Sequence, residues 1–146
     1  MHLTRRKLLG TILLLPVGVA FANDEAAAAA QLRGTLEAQS DDVAGLRLPD
    51  GSFVRLNGDD QTVKVLHDQR LQGLDFEVLG ERKQNGEFSI LPIHLAALFT
   101  YQEGKRLRVT YYCDVCAIRT YSPGLCMCCR ENTRVDLVDP AEITKS

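Results

Sequence analysis

The chain has 146 residues, of which 45% are hydrophobic, 6% aromatic and 25% charged, and it contains no Trp. That is enough for one domain, or one domain with a small appendage, and it excludes a membrane bundle or a wholly disordered chain. The net charge of −2 hides an asymmetry: residues 1–22 hold Arg5, Arg6 and Lys7 and no acid, and the rest carries 14 basic against 19 acidic side chains, a balance of −5. An acidic body argues against broad binding of a nucleic-acid backbone, which needs a basic field.

Residues 1–22 read as a targeting segment. MHLTRRK is a positively charged start, and the LLGTILLLPVGVAFA that follows is an apolar run of 15 residues. A membrane span takes about 20. Ala20-Phe21-Ala22 is an A-x-A cleavage pattern. Thr4-Arg5-Arg6-Lys7-Leu8-Leu9 resembles the twin-arginine export signal, whose pathway carries folded proteins. The resemblance implies an exported, periplasmic protein that touches a membrane only if the segment stays uncleaved. A Sec leader carrying two arginines is the alternative. Residues 23–31, NDEAAAAAQ, read as an Ala-rich spacer, because so short an Ala run is marginal as a helix in water.

From residue 32 to 104 the pattern is that of a small β domain. Residues 32–38 alternate Leu32, Gly34 and Leu36 with Arg33, Thr35 and Glu37, a half-buried strand. Residues 45–48 and 53–56 form two more strands around the turn Pro49-Asp50-Gly51. Asp60 caps a helix expected to reach Arg70, with Val63, Leu66 and Leu71 near helical spacing, and Gly73 ends it. Residues 76–82 and 87–93 form a hairpin through Asn85-Gly86, with Pro92 marking the end of the return strand. Residues 94–101, HLAALFTY, are expected as a short helix against the barrel, closed by Gly104. Three strands, a helix and two strands resemble the five-stranded OB barrel in element order. That likeness would place Arg47, Phe53 and Arg55 on the face which such folds use for ligands. A solvated barrel face accounts for the same three residues, and fold alone assigns no function.

Residues 105–112 alternate Leu107, Val109 and Tyr111 against Arg106, Arg108 and Thr110, a strand that delivers the chain into Cys113. All five cysteines lie within the 17 residues from Cys113 to Cys129. Cys113 and Cys116 form one C-x2-C, Cys126 and Cys129 form a second, nine residues separate the pairs, and Cys128 is left inside the second. Two such turns face to face offer four thiolates in a tetrahedron, the shell of structural Zn2+. Unligated thiols, a disulfide or dithiol pair, and iron held by the same four sulfurs are the competing readings. C-x-x-C-H is absent, since Ala117 and Arg130 follow the pairs, which argues against attached haem. His67 and His94 are weaker ligand candidates than four cysteines. Cys128 is expected to point away from the metal, either inert or as a reactive thiol.

With residues 135–138 as a closing strand, the segment 105–146 resembles a zinc ribbon, in which strands carry two cysteine knuckles to one ion. The resemblance implies metal ligands Cys113, Cys116, Cys126 and Cys129, with Arg108, Arg119, Arg130 and Arg134 near enough in sequence to offset the charge of four thiolates. The glycine that such knuckles carry after the second cysteine is replaced by Ala117 and Arg130. The fold class expected is mainly β: an OB-like barrel, one or two short helices and a C-terminal zinc-ribbon-like segment. The expected function is that of an exported metal-binding protein, a binding or scaffolding module for a protein or small ligand rather than an enzyme. A closed thiolate shell leaves no position for a reactive water, and no Ser–His–Asp grouping is identifiable. The rivals are electron transfer at a rubredoxin-like iron or dithiol site, and metal handling with Cys128 as the loading thiol beside Met127.

The leader supplies the first test. Replacing Arg5 and Arg6 together by Lys should strand the precursor in the cytoplasm if export is twin-arginine, as read by fractionation and immunoblot; unchanged processing would assign the Sec route.

Overall fold

The computed structural model describes residues 29–143. The expected export signal, with Arg5, Arg6, Ala20 and Ala22, and most of the spacer lie outside them. The barrel consists of β1 (Ala30–Ser40), β2 (Val43–Arg47), β3 (Phe53–Asn57), α1 (Asp60–Leu66), β4 (Asp75–Arg82) and β5 (Phe88–Ile90). The first half of β1 pairs antiparallel with β4 and its second half with β2. β2 pairs with β3, β3 runs parallel to β5, and β5 returns to β4. The ring β1-β2-β3-β5-β4-β1 is thereby closed, with α1 between the third and fourth strands, in the OB-like order expected. Gly80 permits the last contact, because a Cβ there would collide with the carbonyl oxygen of Ser89.

Alternation along each strand fills the barrel. Leu36, Leu46, Val54, Leu56, Phe76, Val78, Phe88 and Ile90 all point inward and are buried. Each such side chain contributes about 1.5–3 kcal/mol relative to exposure. α1 lies across one end of the barrel with Val65 and Leu66 buried. Asp59 starts it, one carboxylate oxygen accepting from Thr62 N at 2.7 Å while the other accepts from Ile93 N at 2.8 Å. The helix ends at Leu66, short of the expected Arg70. Gln72 explains the early stop: its Nε2 donates to Leu66 O and Asp68 O, and its Oε1 accepts from Ala38 N at 2.7 Å. The carbonyl of the last helical residue, Leu66, is thus satisfied by a side chain while the chain turns back toward β1.

The expected helix over 94–101 does not form. A single 3-10 turn, Ile93–Leu95, is ended by Ala96 in the left-handed region at φ 51°, and β6 (Leu98–Gln102) follows. β6 fills the edge of β4 that β5 leaves open: β5 covers Gly80 to Arg82, and β6 covers Phe76 to Val78. An edge without partners outweighs the helix propensity of two alanines, and Phe99, Thr100 and Tyr101 favour a strand. Gly104 has a different task from that expected. With Glu103 it forms a two-residue turn, at φ 51° and 75°, between β6 and β7 (Lys105–Cys113). Positive φ at both positions is the mark of the type I′ hairpin.

β7 is the central strand of the C-terminal half. β6 and then β8 (Ile118–Thr120) pair along one edge, and β9 (Arg134–Val138) pairs along the other. Val109 and Tyr111 project from β7 into the cluster that contains Leu36 and Phe76, so barrel and C-terminal segment share one core. A short helix, α2 (Pro140–Ile143), follows β9. The other face of this sheet carries a buried charge. Glu77 is fully buried, its carboxylate accepting from Tyr101 Oη at 2.5 Å and from the Arg106 guanidinium, which also stacks on Phe99 at 3.5 Å. Burial opposes the charged form of Glu77, yet Arg106 and Tyr101 hold its carboxyl below its ordinary value.

A second polar link ties the loop after α1 to β7 and the cysteine segment. The Tyr111 hydroxyl donates to Asp68 Oδ2 at 2.9 Å, and Arg70 bonds the same carboxylate and donates to Thr133 O at 3.0 Å. Burial works against the Asp68 carboxylate, but the Arg70 bonds outweigh it and the carboxyl is more acidic than usual. Its contribution is therefore complete above the unfolded value of about 3.9 and is lost as pH falls through the lower folded value. Asp68→Asn should cost about 1–3 kcal/mol at pH 7, with the gap to wild type closing below about pH 3.9, as measured by urea unfolding across that range.

Candidate metal centre

The alternation that sends Val109 and Tyr111 into the core places Cys113 on the same face, buried at the end of β7. The chain then turns through Asp114 and Val115 to Cys116, and Ala117 at φ 53° reverses it into β8. The second cysteine turn is built on a small hairpin of its own. Leu125 bridges Asn132, Cys126 N donates to Glu131 O at 2.8 Å, and Thr133 N and Oγ1 both donate to Gly124 O. Arg130 N closes the turn on Cys126 O at 3.0 Å, with Arg130 at φ 64°. Ala117 and Arg130 therefore adopt the left-handed conformation that a glycine would take after each pair. The nine residues between the pairs are divided between the return strand β8 and the approach to this hairpin.

The two turns face each other. The sulfurs of Cys113, Cys116, Cys126 and Cys129 all lie within 4.8 Å of one another, and Cys113 Sγ is 3.4 Å from Cys129 Sγ. All five cysteines are free thiols. A disulfide needs about 2.05 Å, whereas a tetrahedron of sulfurs at about 2.3 Å from one ion has edges of about 3.8 Å. The four-sulfur spacing fits the ion, and Cys113 and Cys126 are buried while Cys116 and Cys129 are partly exposed. Among the described residues no second cluster of this kind occurs: His67 caps the end of α1 and His94 lies in the 3-10 turn.

Backbone N–H groups serve the first sulfur of each pair. Cys126 accepts from the N–H groups of Cys129 and Cys128, which hold its thiol down to about 7. Cys113 accepts from Cys116 and Val115 in the same way, but burial and the neighbouring Cys129 and Cys126 thiols leave it above its ordinary value. Packing four thiols together with no cation penalises ionisation, and a bound cation reverses that penalty.

The charges around the centre only partly match the sequence expectation. Arg134 donates from Nε to both oxygens of Asp114 at 3.1 Å, clamping the first cysteine turn against β9, and also bonds Asp136. Arg119 bonds Asp136 and Thr110 Oγ1, and both arginines lie over the Tyr112 ring. These two are occupied with carboxylates. Arg108 lies over Phe99 with its Nε buried and unpartnered. Arg130 is exposed in the second turn. Cys128 is exposed and stands outside the set of four. It nevertheless raises the Cys116 thiol above its ordinary value, together with Cys129 and burial. Arg47, Phe53 and Arg55 lie elsewhere, on the outer barrel surface: Arg47 pairs with Glu37 and covers Phe53, and Arg55 faces Glu87.

Comparison of the chain with protein-family models, with curated proteins and with solved structures returned no match. The site therefore rests on its own geometry. Left-handed backbone costs a non-glycine residue about 1–2 kcal/mol. Ala117→Gly and Arg130→Gly should each stabilise the metal-loaded protein by roughly 0.5–1 kcal/mol once the extra freedom of the unfolded chain is subtracted. Denaturant unfolding of the two variants checks this, and lower stability in both would show these positions to be unstrained.

Proposed function

We propose that the chain is an exported, periplasmic metal-binding protein in which Cys113, Cys116, Cys126 and Cys129 hold one structural Zn2+ in a zinc-ribbon-like segment, while the barrel serves as a binding or scaffolding module. The convergence of four sulfurs within 4.8 Å carries the reading. A soft, all-thiolate tetrahedral shell suits zinc, and zinc supplies cross-linking rather than chemistry when no coordination position is open. The segment 114–133 has only the three-residue β8 and one isolated bridge as regular structure, and an ion substitutes there for a core that so few residues cannot build. Backbone N–H groups at the first sulfur of each pair favour thiolates, which any metal reading requires. The same donors suit a single iron, as in a rubredoxin-like centre, and the colour of the purified protein separates the two ions. Export rests on the leader residues Arg5, Arg6, Ala20 and Ala22.

Elemental analysis of protein purified from its native compartment should give one zinc per chain. Cys116→Ser and Cys126→Ala should each lose it, and Cys128→Ala should keep it. Because β7 remains anchored by Val109 and Tyr111, metal loss should open segment 114–133 to proteases first, with the barrel resisting longer. Full metal content in Cys116→Ser would overturn the ligand set.

A further inference from the structure

The apolar side chains that the fold leaves in solvent are concentrated on the cysteine segment. Five large hydrophobic residues are exposed among the described ones, and four of them, Val115, Ile118, Leu125 and Met127, lie between Cys113 and Cys129. Met127 is 93% exposed and Leu125 57%. Single exposed apolar side chains are ordinary, but a group of them on one short segment marks a contact surface.

Leu125 and Met127 also line a groove of about 440 Å³ between α1 and the second cysteine turn. Gln61 and Lys64 form its α1 side, and Pro123, Gly124, Leu125 and Met127 form the other. Gln61 and Lys64 are three residues apart, so both project from one face of the helix. The lining contains no Asp or Glu, although acids outnumber bases by 19 to 14 beyond residue 22. Lys64 is its one charged residue and forms no ion pair among the described residues, not even with Asp60 one turn before it.

We propose that this groove binds an extended peptide segment of a partner protein in which apolar residues alternate with carboxylates. An extended segment sends successive side chains to opposite sides. One set covers Leu125 and Met127, and the other faces Lys64, whose unpaired charge selects a carboxylate. Met127 adapts its shape to differing apolar partners. Two copies of this chain meeting through the same patch would bring a second Lys64 and no acid to it. An anionic bilayer would meet Asp114 and Glu131, exposed on the same two turns and offsetting Arg130. The inference rests on the metal reading above in one respect: one wall of the groove is the cysteine turn that the metal fixes.

The test uses mature protein with its zinc counted, titrated into a fluorescein-labelled octapeptide of alternating Leu and Asp and read by fluorescence anisotropy. Binding should saturate below about 1 mM and weaken with added salt. A Leu–Lys octapeptide should not bind. Lys64→Glu, which replaces attraction by repulsion, should weaken binding at least about fivefold, and Met127→Ser at least about tenfold. Both positions are exposed, so each variant should keep its fold and its zinc. No saturable binding, equal affinity in either variant, or equal binding of the Leu–Lys peptide would overturn the proposal. So would self-association, or co-sedimentation with phosphatidylglycerol vesicles, that Met127→Ser abolishes, since the patch would then belong to a second copy or a membrane. Zinc-loaded protein that ignores the peptide refutes the groove alone. Zinc-free protein refutes the metal reading, and the same titration on that sample still decides the groove.

Discussion

The two-residue repeat of β7 is the constraint on which the rest depends. It sends Val109, Tyr111 and Cys113 to one face, so a single strand supplies the barrel with core and the sulfur cluster with its first member. A one-residue slip in its pairing would expose all three together. Three flanking strands guard against that slip, because Arg108 is paired with both Phe99 of β6 and Val138 of β9, and Tyr111 with both Thr120 of β8 and Val135 of β9. The precision of the sulfur cluster is thus set by a ladder that also holds the core.

Polar groups reinforce the same strand from both sides. On the core face, Tyr111 reaches Asp68, and Arg70 carries the connection on to Thr133 at the base of the second cysteine turn. On the opposite face, Arg106 meets Glu77 under a cover of Phe99 and Tyr101. Buried pairs of this kind offset their own desolvation at best, so their effect lies more in fixing the position of β7 than in net stability. Arg134, bridging Asp114 and Asp136, extends the arrangement to the first cysteine turn.

Much of this was legible in the sequence because the signals are local. Alternation located the barrel strands, and Asn85-Gly86 located a hairpin whose Gly86 lies at φ 88°. The C-x2-C pairs named the four sulfurs that converge. Misreadings arose where distant partners decide. Residues 98–102 look helical until the open edge of β4 is known, and the early end of α1 depends on Gln72 reaching back to Leu66. The sequence Phe99-Thr100-Tyr101 followed by Glu103-Gly104 holds a hairpin signal of its own, beside the helix-favouring alanines that precede it.

The closed barrel also sets the order in which contacts can be made. Its seam joins Ala30 to Gly80 and Thr35 to Asp75, pairs separated by 50 and 40 positions in the chain. The cysteine turns join residues no more than 16 positions apart. Loop-closure entropy rises with the logarithm of that separation, and folding rates fall as the mean separation of contacts grows. Topology therefore makes the seam the slow event and the sulfur cluster the quick one: a chain still searching for its barrel already has its thiols within reach of an ion.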